Sequence, residues 1–133
     1  MYADLSLNIT QTLLASGAPY LPLGIWLNVN FSPVNNGNCT KAGDFGFVLS
    51  RIHPSVFGGD VKICGNGGHL PTESTVMKTS GCWVSVSVAA ASTKMDAGTS
   101  NQVIVLSKLG GILTCLPSDD HLSEMAGGLT VMD

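Results

Sequence analysis

Four cysteines limit most strongly what this chain can fold into. None of them forms a Cys-x-x-Cys pair, so the spacings typical of zinc ribbons and thioredoxin-like redox sites are missing. An even number of cysteines in a chain with few charged residues predicts two disulfides and therefore an oxidising compartment. Four cysteines allow three connectivities, of which we favour Cys39–Cys64 and Cys82–Cys115. Each bond is expected to stabilise the domain by about 3 kcal/mol.

Three Asn-x-Ser/Thr sequons point to the same compartment. They begin at Asn8, Asn30 and Asn38, which are therefore the candidate glycosylation sites. Pro33 follows the second sequon and makes it a poorer acceptor. The first residues lack the basic stretch and apolar segment of a signal peptide. We therefore expect a secreted protein in its mature form, or a part of a longer secreted precursor.

Composition excludes several classes of partner. The 133 residues are enough for one domain, and only 11% of them are charged, against about 25% in ordinary soluble domains. A net charge of −3 with six basic residues argues against nucleic acid. No apolar run approaches the roughly 20 residues that a membrane span needs. The sequence thus predicts a globular domain with neither a nucleic-acid nor a membrane partner.

Alternating apolar and polar residues predict a domain made mainly of β-strands. The expected strands cover residues 5–10, 24–31, 45–52, 60–64 and 81–89, with a weaker one around Val76. We expect these strands to form antiparallel, β-sandwich-like sheets. A two-layer α+β arrangement is the alternative.

One helix is predicted near the C-terminal end. Asp96 is its candidate N-cap, and an apolar stripe follows at spacings of three, three and four residues. The stripe consists of Val103, Leu106, Leu109 and Leu113. Residues 1–117 then form a single β-rich domain, and residues 118–133 form a tail or a loosely packed segment.

No group of residues predicts catalysis. The histidines, at positions 53, 69 and 121, share no spacing that would bring two of them together on one face. Asp44 and Asp60 flank the third predicted strand, but both sit beside glycines, where aspartate usually stabilises a turn. We therefore predict no catalytic residue, no metal site and no cofactor. A small secreted hydrolase or metal enzyme that uses His53, His69 or the two aspartates is the less favoured alternative.

Binding of a neutral sugar is better supported by the pattern. Trp26 shares the polar side of its strand with Asn28 and Asn30, and Trp83 lies on the polar side of the fifth strand. An indole can cover the C–H face of a sugar ring while amides bond its hydroxyls, without the desolvation of a charge. Tyr20, in a proline-containing loop, could extend the site. The alternative is that both tryptophans pack in the core, as tryptophans commonly do.

The second half of the chain also resembles a known class of module. The similarity lies in residues 81–88 (GCWVSVSV), 92–96 (STKMD), 105–109 (VLSKL) and 113–117 (LTCLP). This region resembles the non-catalytic C-terminal accessory region of secreted fungal polysaccharide-degrading enzymes, such as chitinases and α-1,3-glucanases. The resemblance implies an appended carbohydrate-binding module with a catalytic domain in the same precursor. It supplies no ligand-binding residue.

Together these observations predict a non-catalytic, secreted carbohydrate-binding module for a neutral cell-wall polysaccharide, either chitin or an α- or β-glucan. The alternative is a structural or interaction domain that packs against a partner catalytic domain. A contiguous apolar patch on an open sheet face would favour that alternative.

Overall fold

The described part of the chain combines three α-helices with a single small sheet. The computed structural model describes residues 1–34, 39–55 and 58–117, so the predicted tail at 118–133 lies outside the described residues. In chain order the elements are α1 (Tyr2–Ala15), β1 (Ile25–Phe31), β2 (Gly46–Ser50), α2 (Glu73–Lys78), β3 (Trp83–Ala90) and α3 (Thr99–Leu109), and a short 3-10 turn precedes β2 at Ala42–Asp44. The prediction of a mainly β, sandwich-like fold is therefore wrong. The chain has an α+β fold.

The sheet has the order β1-β3-β2 and is mixed. β1 runs antiparallel to β3, with Ile25 opposite Ala90, whereas β2 runs parallel to β3, with Gly46 opposite Trp83. Parallel strands need a long crossover. Here the crossover is the chain from residue 51 to residue 82, which includes α2. The antiparallel sheets expected from the sequence are therefore replaced by one sheet with a β2–α2–β3 crossover.

The main core lies between one face of the sheet and helices α1 and α3. Alternate residues of the central strand β3 point into it and are buried. The same cluster includes side chains from both helices and from the irregular chain at 61–70; its members include Leu5, Ile9, Leu49, Val61, Ile63, Val84, Val86, Val88, Val105 and Leu109. Helix α2 packs on the opposite face of the sheet, where Val76 meets Val48 and Leu116. The α+β class of the alternative prediction therefore agrees with the structure, but its two layers do not, because helices lie on both faces of the sheet.

The first predicted strand is in fact helix α1. Leu5 and Ile9 are four residues apart and share the buried face of the helix, and Leu13 packs against the same core. Leu7, which alternation would place on the same side as Leu5, is 53% exposed. Leu5, Leu7 and Ile9 are spaced two residues apart, which fits a strand. Leu5 and Ile9 alone are four residues apart, which also fits one face of a helix. Tertiary packing selected the helix.

Four further local predictions are wrong. Residues 60–64 form no strand, although Asp60, Val61 and Ile63 are buried. The weak strand around Val76 is helix α2, which Thr72 caps by accepting the Thr75 N–H at 3.2 Å. Helix α3 begins after Gly98 rather than at Asp96. Its apolar stripe also differs: Val103 is exposed, and Leu113 lies beyond the helix end.

The structure confirms two disulfides but not the favoured connectivity. The bonds are Cys39–Cys82 and Cys64–Cys115, with Cα–Cα distances of 5.7 and 5.8 Å. Because β2 and β3 are parallel, the residues that precede them lie at the same end of the sheet, and this brings Cys39 to Cys82. The predicted pairing of Cys39 with Cys64 and of Cys82 with Cys115 did not take this parallel contact into account.

Alanine substitution should distinguish helix α1 from a strand. Leu5→Ala should lower the free energy of unfolding by about 2–5 kcal/mol, because it removes a fully buried side chain. Leu7→Ala, the matched control, should change it by less than about 0.5 kcal/mol. Urea unfolding measures both. Equal losses would contradict the helix, since a strand would bury both leucines on one face.

Trypsin can establish the disulfide connectivity directly. Cleavage after the six basic residues places each cysteine in a different peptide: 1–41, 63–78, 79–94 and 109–133. Without reduction, mass spectrometry should find 1–41 joined to 79–94 and 63–78 joined to 109–133. A species that joins 1–41 to 63–78 would contradict the structure.

Candidate functional site

Trp26 is a predicted binding residue that the structure leaves partly open to solvent. It lies in β1, an edge strand of the sheet, and its side chain is 36% exposed. Its neighbour across the sheet is Ala89, which is fully buried and small. The indole therefore stands at a sheet edge beside a residue that is too short to cover it.

Asn28 lies on the same face as Trp26 and is fixed by a residue that the sequence did not single out. Its side-chain amide Nδ2 donates to Glu73 Oε1 at 2.5 Å. Glu73 is the first residue of α2 and is half-buried. The pair ties the N-terminal end of α2 to the edge strand beside Trp26. The signal that could have found Glu73 is its place after Thr72, since capping threonines and first-turn acids mark helix starts.

Asn30, the third predicted member of the site, is partly buried, and its amide nitrogen does not reach solvent. Its Nδ2 atom is buried and has no hydrogen-bond partner among the described residues. It lies opposite Ser85, whose hydroxyl is buried and unpaired in the same way. Asn30 therefore cannot offer its amide hydrogens to a ligand outside the protein.

Trp83 has a structural role. It packs against the small apolar cluster beneath α2, and its indole Nε1 donates to the Ser80 carbonyl at 3.1 Å. Trp83 lies opposite Gly46 at one end of the sheet, and Trp26 lies near the other end, opposite Ala89. Six residues along a strand correspond to roughly 20 Å. The two tryptophans therefore do not belong to one site.

Tyr20 lies in the segment between α1 and β1 and is 46% exposed. Leu23, in the same segment, is fully exposed. The stacked aromatic pair found among the described residues is Tyr2 with Phe31, at 5.1 Å between ring centroids. Tyr20 is thus accessible, but its ring does not pair with that of Trp26 among the described residues.

The candidate catalytic aspartates lie at opposite ends of β2. Asp44 precedes the strand and accepts hydrogen bonds from Thr40 and Lys41. These hydrogen bonds, that from the Thr40 backbone first, lower the pKa of the Asp44 carboxyl. Asp60 contacts Arg51, which follows the strand. A strand of this length holds the two carboxylates well beyond the roughly 5–9.5 Å that glycoside hydrolysis requires.

Asp60 is instead the centre of a buried polar network, which we call the Arg51 network (Arg51, Asp60, Asp96 and Gln102). Asp60 pairs with the Arg51 guanidinium and accepts from Gln102 Nε2 at 2.9 Å and from the Leu70 N–H at 2.9 Å. Asp96 lies 3.5 Å from the same guanidinium and also accepts from the N–H groups of residues 52 and 53. Every carboxylate oxygen in the network has a partner, which is the arrangement of a structural cluster.

Among the described residues, His53 and His69 form no metal-binding group with these acids. His53 and His69 are exposed, and His69 Nδ1 lies 3.2 Å from the Ser55 carbonyl. His121 lies outside the described residues. In the described ranges 1–34, 39–55 and 58–117 there is no group of three or more His, Cys, Asp or Glu side chains that could hold a metal ion. Over the same ranges, no helix is long and apolar enough to cross a membrane.

Comparisons with protein-family models, with curated protein sequences and with solved structures give no match to this chain. The resemblance to fungal accessory modules therefore stays a prediction.

Removing the charge at the centre of the Arg51 network should test whether its role is structural. Asp60→Asn leaves the guanidinium buried without its closest partner, and breaking such a pair lowers stability by about 3–5 kcal/mol. Asp44→Asn, at an exposed turn, should cause a much smaller loss. Thermal and urea unfolding of the two variants give the comparison. A destabilisation by Asp60→Asn no larger than that by Asp44→Asn would contradict this role.

Proposed function

We propose that this chain is a non-catalytic module that binds a neutral polysaccharide through the exposed indole of Trp26. The observation that carries the proposal is the position of this ring, on an edge strand and beside the Asn28–Glu73 pair. An exposed indole on a charge-poor protein favours a ligand with C–H faces and hydroxyl groups.

The polar side of the site comes from the Asn28–Glu73 pair. One Nδ2 hydrogen of Asn28 is engaged by Glu73, which leaves the second Nδ2 hydrogen, the Asn28 side-chain oxygen and the second carboxylate oxygen of Glu73 for a ligand. Neither of these oxygens accepts a hydrogen bond from the described residues. A sugar hydroxyl both donates and accepts, so this mixture of one donor and two acceptors suits it. In the sequence prediction, by contrast, Asn28 and Asn30 both bonded the ligand.

The setting fits an extracellular protein. Both disulfides join segments that are distant in sequence, 43 and 51 residues apart, and such bonds persist in oxidising compartments. We propose that the chain is secreted and that it accompanies a catalytic domain of the same precursor, bringing that domain to an insoluble polymer such as chitin or an α- or β-glucan.

The alternative of a domain that only packs against a partner has less support. It would be favoured by an apolar sheet face left open. The described helices pack on both faces of the sheet: α1 and α3 on the side of Val86, and α2 on the side of Val48.

A retention assay on insoluble chitin, α-glucan and β-glucan tests the Trp26 site. Stacking of an aromatic ring is worth roughly 1–3 kcal/mol per ring, on the scale measured for bases, so Trp26→Ala should weaken binding to the preferred polymer by roughly 5- to 150-fold. Because the ring is at the surface, the variant should keep the circular dichroism spectrum of the wild type.

Leu23→Ala is the matched control, because it removes a fully exposed apolar side chain outside the site. It should bind as the wild type does. Equal retention of Trp26→Ala and wild type would overturn the proposal, and an equal loss in both variants would show unspecific apolar adsorption instead.

A further inference from the structure

We infer that Asn8 carries an N-linked glycan in the secreted protein, and that Asn30 does not. Both residues begin an Asn-x-Ser/Thr sequon, so the sequence alone treats them as equivalent. The fold separates them, because it exposes one side-chain amide and buries the other. This inference rests on the extracellular location proposed above and is independent of the Trp26 site.

The chemistry requires an accessible amide nitrogen. In the transfer, Nδ2 of asparagine attacks the anomeric carbon of an oligosaccharide that is linked to a polyprenyl diphosphate. A C–N bond forms, the bond from that carbon to the diphosphate oxygen breaks, the lipid diphosphate leaves, and the nitrogen loses a proton. In the folded product, the same nitrogen must be at the surface, with enough space beside it for the sugar ring to which it is bonded.

Asn8 meets this requirement. It lies on an exposed position of α1, and its side-chain amide makes no hydrogen bond with the described residues. The hydroxyl of Thr10, the third residue of the sequon, is also at the surface and donates to the Ser6 carbonyl at 2.8 Å. A glycan on Asn8 therefore displaces no packed side chain.

A groove beside Asn8 provides room for the first sugars. It has a volume of about 690 Å³ and runs between α1 and the C-terminal end of α3. Its polar lining consists of Asn8, Gln11, Thr12, Ser16, Ser107 and Lys108. Amide and hydroxyl groups of this kind can bond the hydroxyls and the acetamido group of an N-acetylhexosamine. None of the lining residues is acidic.

Asn30 fails on both members of its sequon. Its Nδ2 atom is buried, and Asn30 lies opposite the buried Ser85, so a sugar bonded to that nitrogen would have no space. The hydroxyl of Ser32 is buried as well, and it accepts the Trp83 N–H at 2.9 Å. A chain glycosylated at Asn30 could not close β1 against β3 as the structure shows. Asn38, the third candidate, lies outside the described residues and stays a prediction.

Site-specific labelling can test this directly. The full chain is directed through the secretory pathway of a eukaryotic host, and the secreted monomer is treated with a peptide amidase that converts glycosylated asparagine to aspartate in ¹⁸O-water. Fragmentation mass spectrometry should place the label at Asn8 and leave Asn30 unlabelled. Absence of label at Asn8, or label at Asn30, would overturn the inference.

Matched variants give the second readout. Asn8→Gln and Thr10→Ala should both remove the label at position 8, whereas Thr10→Ser keeps the sequon and should retain it. Loss of the label in Thr10→Ser together with its persistence in Thr10→Ala would contradict sequon-dependent modification. The polysaccharide retention assay uses unglycosylated protein from a bacterial host. Loss of polysaccharide binding and absence of the glycan at Asn8 are therefore independent results.

Discussion

The guanidinium of Arg51 holds together three parts of the chain that no sheet or helix connects. It pairs with Asp60 and Asp96, and Asp60 in turn accepts from Gln102 on α3. The end of β2, the irregular segment that follows it and the start of α3 are thereby fixed to one another. Arg51 is the sole arginine in the sequence. Its guanidinium is largely buried, and hydrogen bonds between charged groups are stronger there than at the surface.

The second constraint is the burial of β3 from both sides. Val84, Val86 and Val88 face the main core, while Ser85 and Ser87 lie beneath α2, and Ser87 shares a hydrogen bond of 2.9 Å with Ser50. Polar residues on alternate positions usually mark a solvent face. Here α2 covers that face, which explains why two residues of the predicted binding surface are engaged or buried and why Trp26, near the edge of this cover, remains accessible.

The two proposals use different surfaces for the same physical reason. A chain with few charges leaves amides, hydroxyls and single exposed rings at its surface, and these groups suit neutral sugars. Trp26 and the Asn28–Glu73 pair lie on the sheet side covered by α2. Asn8 and its groove lie on the opposite side, between α1 and α3. A glycan on Asn8 is therefore compatible with a polysaccharide bound at Trp26.

The sequence by itself determined what depends on neighbouring residues: the strands around Val29, Leu49 and Val86, a helix near the C-terminal end, and two disulfides. It could not determine α1, because Leu5 and Ile9 fit two periods, and the core of the folded protein chose between them. The parallel pairing of β2 with β3, and with it the cysteine connectivity, is a contact between distant segments that local patterns do not encode. Tertiary structure alone decided which polar residues of the sheet α2 covers. It thereby decided that Trp26 reaches solvent and that the amide nitrogen of Asn30 does not.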